Sequence, residues 1–206
     1  MLQTIFGQRR RDYDSNVLGK LRKNMIAPRR PERFQEVAKL LEESGLSWAR
    51  KTAAPLTADS STEVILLDTI GELPAVYSLA TVVFVGGSIV DRGGHNVLEP
   101  AANGACVITG HNTHNFQAIV QLLNEADAIV QLPPLEFTRA AQCLTHELES
   151  LLTNEDRRAQ LAARAKDIIE KNRGAAERTA EIIKPLLRQT AGESLATAES
   201  LAEPGS

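Results

Sequence analysis

Residues 81–110, TVVFVGGSIVDRGGHNVLEPAANGACVITG, form the stretch that decides the fold of this chain. Two continuous apolar runs, VVFV and ACVITG, are separated by a glycine-rich turn and a short segment that contains Glu99 and Pro100. Short apolar strands that alternate with helices are typical of a parallel sheet covered on both faces. The stretch therefore predicts a strand, a loop, a helix and a second strand.

The same alternation continues on both sides of this stretch. A helix is predicted over PERFQEVAKLLEESG, and residues 135–188 are expected to be helical with a break near Gly174. Four clear strands are predicted, at residues 63–68, 82–87, 105–110 and 128–132. LRKNMI, before Ala27, is only weakly strand-like, so we expect a Rossmann-like α/β domain with a parallel sheet, flanking helices and one short edge.

Composition divides the chain into three parts. Residues 1–24 are polar and basic without a sustained period, which predicts a poorly ordered arm. Residues 25–188 are expected to form the Rossmann-like domain. Residues 189–206 are small and polar, which predicts a disordered tail.

Charge, hydropathy and cysteine content exclude several classes of function. The net charge of −3 provides no basic field, so we expect no nucleic-acid partner. No apolar run is long enough to span a membrane. Cys106 and Cys143 are expected to be reduced thiols, and His111, His114 and His146 lack the spacing of a metal site.

The glycine-rich stretch suggests a binding site, because ligands of open parallel sheets lie beyond the carboxyl ends of the strands. Glycines such as Gly87 let backbone N–H groups approach a phosphate, and Ser88 and Asn96 could hold a phosphate or a sugar hydroxyl. Glu99 could accept hydrogen bonds from ribose hydroxyls. The spacing matches neither a P-loop nor GxGxxG. Because glycines at such turns can also be purely structural, both interpretations stay open.

Two further clusters fall at the same predicted edge. Arg29 and Arg30, in IAPRRPERF, precede a helix and have the forked donors that suit phosphate, although a solvated basic turn is an alternative. DTIGEL, at residues 68–73, ends a strand and opens a helix, where Asp68 or Thr69 could be an ordinary helix cap.

A family resemblance rests on these motifs together. GELPAVYSLATVVFVGGSIVDRGGHNVLEPAANGACVITGHNTHNF resembles the C-terminal half of bacterial 3-deoxy-D-manno-octulosonic acid (Kdo) transferases, and APRRPERF and NRGAAERT resemble further motifs of the family. The resemblance covers roughly residues 27–187. It implies one half of a two-domain GT-B glycosyltransferase that transfers Kdo from CMP-Kdo to a lipid A precursor in lipopolysaccharide biosynthesis, without a metal ion or other cofactor.

The resemblance also implies roles for particular residues. Arg29 would meet the donor phosphate, and Glu99 would bind the ribose. The remaining donor-binding residues would be the GEL turn and the loops around the nucleotide, namely Gly71, Glu72, Leu73, Gly87, Ser88 and Asn96. No catalytic residue is assigned, because the family's base belongs to an N-terminal domain.

This chain departs from the family pattern at three places. Arg30 stands where the family has His, and GHNTHNF stands where the family has GPHTFNF. We expect the family's N-terminal domain, with its acceptor site and membrane-facing surface, to have no counterpart in this chain. We therefore expect the chain alone to be inactive, whereas the complete enzyme would be cytoplasmic and peripheral to the inner membrane. A catalytically silent nucleotide-binding or interaction module, or a GT-B enzyme with another donor, remain alternatives.

Overall fold

The structure is a computed structural model that describes residues 2–7, 23–53 and 61–200. The chain divides into two compact units, residues 1–167 and residues 168–206. The first contains every described strand. The strands are β1 (Leu2–Gly7), β2 (Lys23–Pro28), β3 (Trp48–Arg50), β4 (Val64–Leu66), β5 (Val82–Val85), β6 (Cys106–Thr109) and β7 (Val130–Gln131).

Six α-helices are described. They are α1 (Phe34–Glu43), α2 (Leu73–Tyr77), α3 (Leu98–Ala102), α4 (Gln117–Glu125), α5 (Phe137–Thr153) and α6 (Glu155–Ser200). Short 3-10 turns at Pro31–Arg33 and His114–Phe116 lead into α1 and α4. The second unit, as far as it is described, consists of the later part of α6.

The strands form a single seven-stranded sheet in the order β3-β4-β2-β1-β5-β6-β7. β1 is antiparallel to both of its neighbours, and the other pairings are parallel. All six strands other than β1 therefore run in one direction, and their carboxyl ends meet at one edge. After β2 the chain adds β3 and β4 on one side of β1, and after β5 it adds β6 and β7 on the other side, so the topological switch point lies between β2 and β5.

Two apolar clusters hold the sheet to its helices. The first joins α1 to β4 through Val37, Leu41 and Leu66, with Ile26 and Trp48 at its border. The second packs strands β5 and β6 against α5 and the start of α6, and its buried members are Val82, Cys106, Ile108, Leu132, Leu151 and Leu161. Burial of each such side chain contributes about 1.5–3 kcal/mol, so these contacts fix the helices on the sheet.

The structure confirms the α/β class and corrects several boundaries. The sheet has seven strands rather than four, and Leu2–Gly7, expected in a disordered arm, is the strand that pairs with β2 and β5. One of its two partners, β5, is distant in sequence, so no local pattern indicates that this strand lies at the centre of the sheet. Residues 8–22 lie outside the described residues.

The helical C-terminal part also differs from the expectation. α6 continues through Gly174 to Ser200, where a break and then a disordered tail were predicted, and residues 201–206 lie outside the described residues. One glycine costs a helix only about 1 kcal/mol, less than the flanking helix formers supply. The real break is at Asn154, whose side chain accepts a hydrogen bond from the Arg157 backbone N–H at 2.9 Å and caps α6.

Candidate functional site

The carboxyl edge of the sheet brings the sequence-predicted polar residues to one side of the molecule. Arg29 follows β2 directly, Asp68 and the GEL turn follow β4, and Gly86 begins the loop after β5. Lys51, which the sequence analysis did not select, follows β3 at the same edge. Parallel strand direction alone accounts for this collection, because each residue lies just past the end of its strand.

A hydrogen bond connects the two sides of the switch point. The Nη1 of Arg29 lies 3.3 Å from the Nδ1 of His95, although these residues are 66 positions apart. Arg29 is exposed, whereas His95 is only 8% exposed and its Nε2 has no partner among the described residues. Burial, together with the charge of Arg29, lowers the pKa of His95, so its imidazole is neutral at neutral pH.

The loop after β5 is held by backbone hydrogen bonds that need glycine. The Gly94 N–H donates to the Gly87 carbonyl at 2.9 Å, and both residues have positive φ angles of 72° and 73°. A Cβ on Gly93 would overlap with the Asn115 amide and the His114 ring. The glycines therefore let the two loops that follow β5 and β6 lie against each other.

The hydroxyl of Ser88, which the resemblance implies to be a donor-binding group, is engaged by two backbone groups of its own domain. Its side chain is fully buried, and its hydroxyl donates to the Val85 carbonyl at 2.6 Å while accepting from the Gly110 N–H at 2.8 Å. The Ser88 carbonyl also accepts from Asn112 N–H at 2.8 Å. Ser88 thus joins the ends of β5 and β6, and a ligand contact from its hydroxyl would require these bonds to break.

Asn96 and Glu99 form a local pair at the start of α3. The Asn96 amide donates to Glu99 Oε1 at 3.0 Å, and its Oδ1 accepts from the Leu98 N–H at 3.0 Å. Glu99 is exposed, so its carboxylate is presented to solvent with one oxygen oriented by Asn96. This arrangement suits a carboxylate that accepts hydrogen bonds from a sugar.

A salt bridge between Lys51 and Glu72 holds the GEL turn. Gly71 has a φ of 86°, which a residue with a Cβ adopts only with strain. The Glu72 carboxylate accepts from Lys51 Nζ at 2.5 Å and from the Thr69 hydroxyl, and these two hydrogen bonds lower the pKa of Glu72. Leu73 begins α2 immediately after the turn.

Asp68 supports the neighbouring loop rather than capping α2. Its carboxylate accepts from the Thr52 N–H at 3.1 Å and hydroxyl at 2.7 Å, and it pairs with Arg50 at 3.5 Å. Burial works to raise the pKa of Asp68, but the hydrogen bonds from Thr52, together with Arg50, lower it overall. Asp68 is therefore a charged structural group at this edge.

The GHNTHNF segment lines an open cavity of about 430 Å³ beyond β6 and β7. His111, Asn112 and His114 contribute from the segment, and Gln131 contributes from β7. Among the residues that the structure describes, no group of three potential ligands could hold a metal ion, and no helix is long and apolar enough to cross a membrane.

Comparison with known proteins identifies relatives of this chain. No family model matches the chain. The chain is 38% identical over 165 residues to the 3-deoxy-D-manno-octulosonic acid transferase of Haemophilus influenzae, and 34% identical over 163 residues to that of Bordetella pertussis. These matches cover 80% and 79% of this chain and 37% of each relative.

A solved structure matches the fold as well as the sequence. It is the C-terminal CMP-Kdo binding domain of WaaA from Acinetobacter baumannii, with a TM-score of 0.60 and 33% identity over 69% of this chain and 70% of that chain. The chain belongs to the 3-deoxy-D-manno-octulosonic acid transferase family. It spans about 37% of the length of the curated Kdo transferases above and corresponds to the C-terminal domain.

Within this Kdo transferase domain, Lys51 and His95 are two residues of the candidate site that no sequence motif singles out. Lys51 gave no signal, because a lone lysine beside a loop has no motif of its own. His95 lies inside the glycine-rich stretch, which was the only available indication. Arg30, which replaces the family's His, is exposed and lies 3.8 Å from Glu32, so it makes a surface ion pair.

Proposed function

We propose that this chain is the domain that binds the CMP-Kdo donor of a Kdo transferase. The observation that carries the proposal is the hydrogen bond between Arg29 and His95, which brings an exposed guanidinium against the glycine-rich loop at the switch point of the sheet. Guanidinium forks suit phosphate, and the switch point is where such sheets bind nucleotides. The structural relative from Acinetobacter baumannii is the CMP-Kdo binding domain of WaaA.

Within this proposal some site residues contact the donor through their side chains, and others contribute through the backbone or the shape of a loop. Arg29 binds the donor phosphate, and Asn96 orients Glu99 toward the ribose hydroxyls. In the GEL turn, Lys51 and Thr69 already occupy the carboxylate of Glu72, so the turn would contact the nucleotide through its backbone. Gly87 and Ser88 shape the loop that faces the ligand.

A titration tests the role of Glu99. We expect Glu99→Ala to weaken CMP binding about tenfold to a hundredfold, because the loss of a hydrogen bond to a charged group costs about 1.5–3 kcal/mol. Calorimetry with CMP and 2′-deoxy-CMP identifies the contact. The wild type should prefer CMP, whereas Glu99→Ala should bind both alike.

The matched control for this titration is Glu42→Ala. Glu42 is an exposed carboxylate near the end of α1, which returns from the carboxyl edge to the opposite edge of the sheet. The substitution Glu42→Ala removes the same charge as Glu99→Ala without changing the candidate site. If Glu99→Ala kept the preference for CMP, Glu99 would not bind the ribose.

We further propose that the complete enzyme transfers Kdo to a lipid A precursor at the cytoplasmic face of the inner membrane. The names of the Haemophilus influenzae and Bordetella pertussis relatives support the transfer of Kdo. Flotation of the chain with vesicles of anionic bacterial phospholipid would test whether this domain itself contributes to membrane attachment.

A further inference from the structure

The hydrogen bond between Arg29 and His95 has one possible direction. A guanidinium has only donors, so an N–H of Arg29 donates and Nδ1 of His95 supplies the lone pair. The imidazole proton then resides on Nε2 in the neutral ring. The lowered pKa of His95 agrees with this form, since protonation of Nδ1 would remove the acceptor.

His95 is suited to act as a fixed acceptor because its own backbone is held. The preceding residue, Gly94, donates its N–H to Gly87 at 2.9 Å, and the side chain of Val97 is fully buried. Arg29, in contrast, is exposed and has a long side chain with many accessible rotamers. A buried acceptor restricts that freedom and leaves the remaining N–H donors of the guanidinium available for a ligand.

We propose that His95 is a positioning residue whose Nδ1 lone pair orients the guanidinium of Arg29 toward the donor phosphate. The proposal rests on the proposed function for the identity of the ligand, but not for the hydrogen bond itself. His95 acts through Arg29 and need not touch the nucleotide. Its contribution should therefore disappear when Arg29 is removed.

The first experiment needs no ligand. Long-range ¹⁵N–¹H spectra of the full chain report the tautomer of His95, and we expect a protonated Nε2 and a bare Nδ1. Arg29→Ala should shift the Nδ1 resonance, whereas Arg30→Ala, one residue away and paired with Glu32, should not. A protonated Nδ1, or a resonance that does not respond to Arg29→Ala, would overturn the proposal.

The second experiment is a double-mutant cycle with cytidine 5′-O-methyl phosphate, a diester with a single negative charge. We expect His95→Leu to weaken binding about tenfold, which corresponds to one lost hydrogen bond to a charged group. His95→Asn places an amide oxygen near the position of Nδ1 and should restore most of the affinity. In the Arg29→Ala background, His95→Leu should change the affinity less than twofold.

The outcomes separate this proposal from the proposed function. If His95→Leu weakened binding equally with and without Arg29, His95 would act on the ligand or the fold directly and the positioning role would be wrong. If the wild type bound no diester, the phosphate role of this pair and the proposed function would both fail. The tautomer measurement would still decide the hydrogen bond. Because the tautomer measurement does not use His95→Leu, it tests the hydrogen bond even if that variant does not fold.

Discussion

Gly110 and Gly45 show how the surroundings of a glycine decide its importance. A Cβ on Gly110 would overlap with the Ser88 carbonyl and the Ile89 backbone nitrogen, and the Asn112 N–H holds that carbonyl in the loop that leads from β5 to α3. Gly45, after α1, has a φ of 74° but nothing within 4 Å of a Cβ. We expect Gly45→Ala to lower the free energy of unfolding by about 1–2 kcal/mol, through backbone strain alone. Gly110→Ala should cost about 3 kcal/mol or more, because backbone atoms must move. Urea denaturation measures both values, and equal losses would contradict this account of the loop.

At the same scale, His95 predicts how stability depends on pH. Its pKa is lowered in the folded chain, so the unfolded chain takes up a proton first as the pH falls. Its contribution to stability is present above the ordinary histidine pKa of about 6.5 and is lost as the pH falls through that value toward the folded pKa. We expect the free energy of unfolding to decrease between about pH 7 and pH 5.5 and His95→Asn to flatten this slope. Urea titrations at several pH values provide the test, and an unchanged slope would show that His95 is not the responsible group.

β1 is the element on which the continuity of the sheet depends. The middle residue Thr4 pairs with Ile26 on β2 and with Phe84 on β5, so its strand lies between the two parallel halves. Proline at Thr4 removes a backbone donor from a central strand, where proline is rarely tolerated. We expect Thr4→Pro to lower the Tm by about 6–12 °C, as a loss of about 3 kcal/mol does in a domain of this size. Thr4→Val keeps the donor and the strand preference and should leave the Tm within about 2 °C. A small effect of proline would mean that β1 does not bridge the sheet in solution.

At the scale of the whole molecule, the described carboxylates at the carboxyl edge of the sheet include none that is suited to act as a general base. A general base works best with a pKa near the operating pH, but the pKa values of Asp68 and Glu72 are lowered, and Glu99 is engaged by Asn96. We expect the chain incubated with CMP-Kdo and tetra-acylated lipid A precursor to yield no Kdo-bearing lipid in mass spectrometry, and at most slow hydrolysis of the donor. Full-length Kdo transferase from Haemophilus influenzae is the positive control. A Kdo-bearing product at the rate of the control would place a complete active site in this chain.

The sequence by itself determined the class of the fold and the location of the candidate site. The apolar runs at β5 and β6, and the glycine turn between them, are local features, and local features predict strands and turns. Because parallel strands end at one edge, the order of the motifs was enough to predict that Arg29, the GEL turn and the glycine-rich loop lie at that edge. The family resemblance, which rests on the same motifs, is confirmed by the comparisons.

The tertiary structure decided which of those side chains are already occupied. The buried hydroxyl of Ser88 joins two strand ends, Glu72 is bound by Lys51, and Arg29 is held by His95. None of these pairings leaves a local pattern, because each joins loops that the strand order of the sheet brings together. The central position of β1 has the same origin. Its six residues become central only because β2 pairs with one side of the strand and β5 with the other.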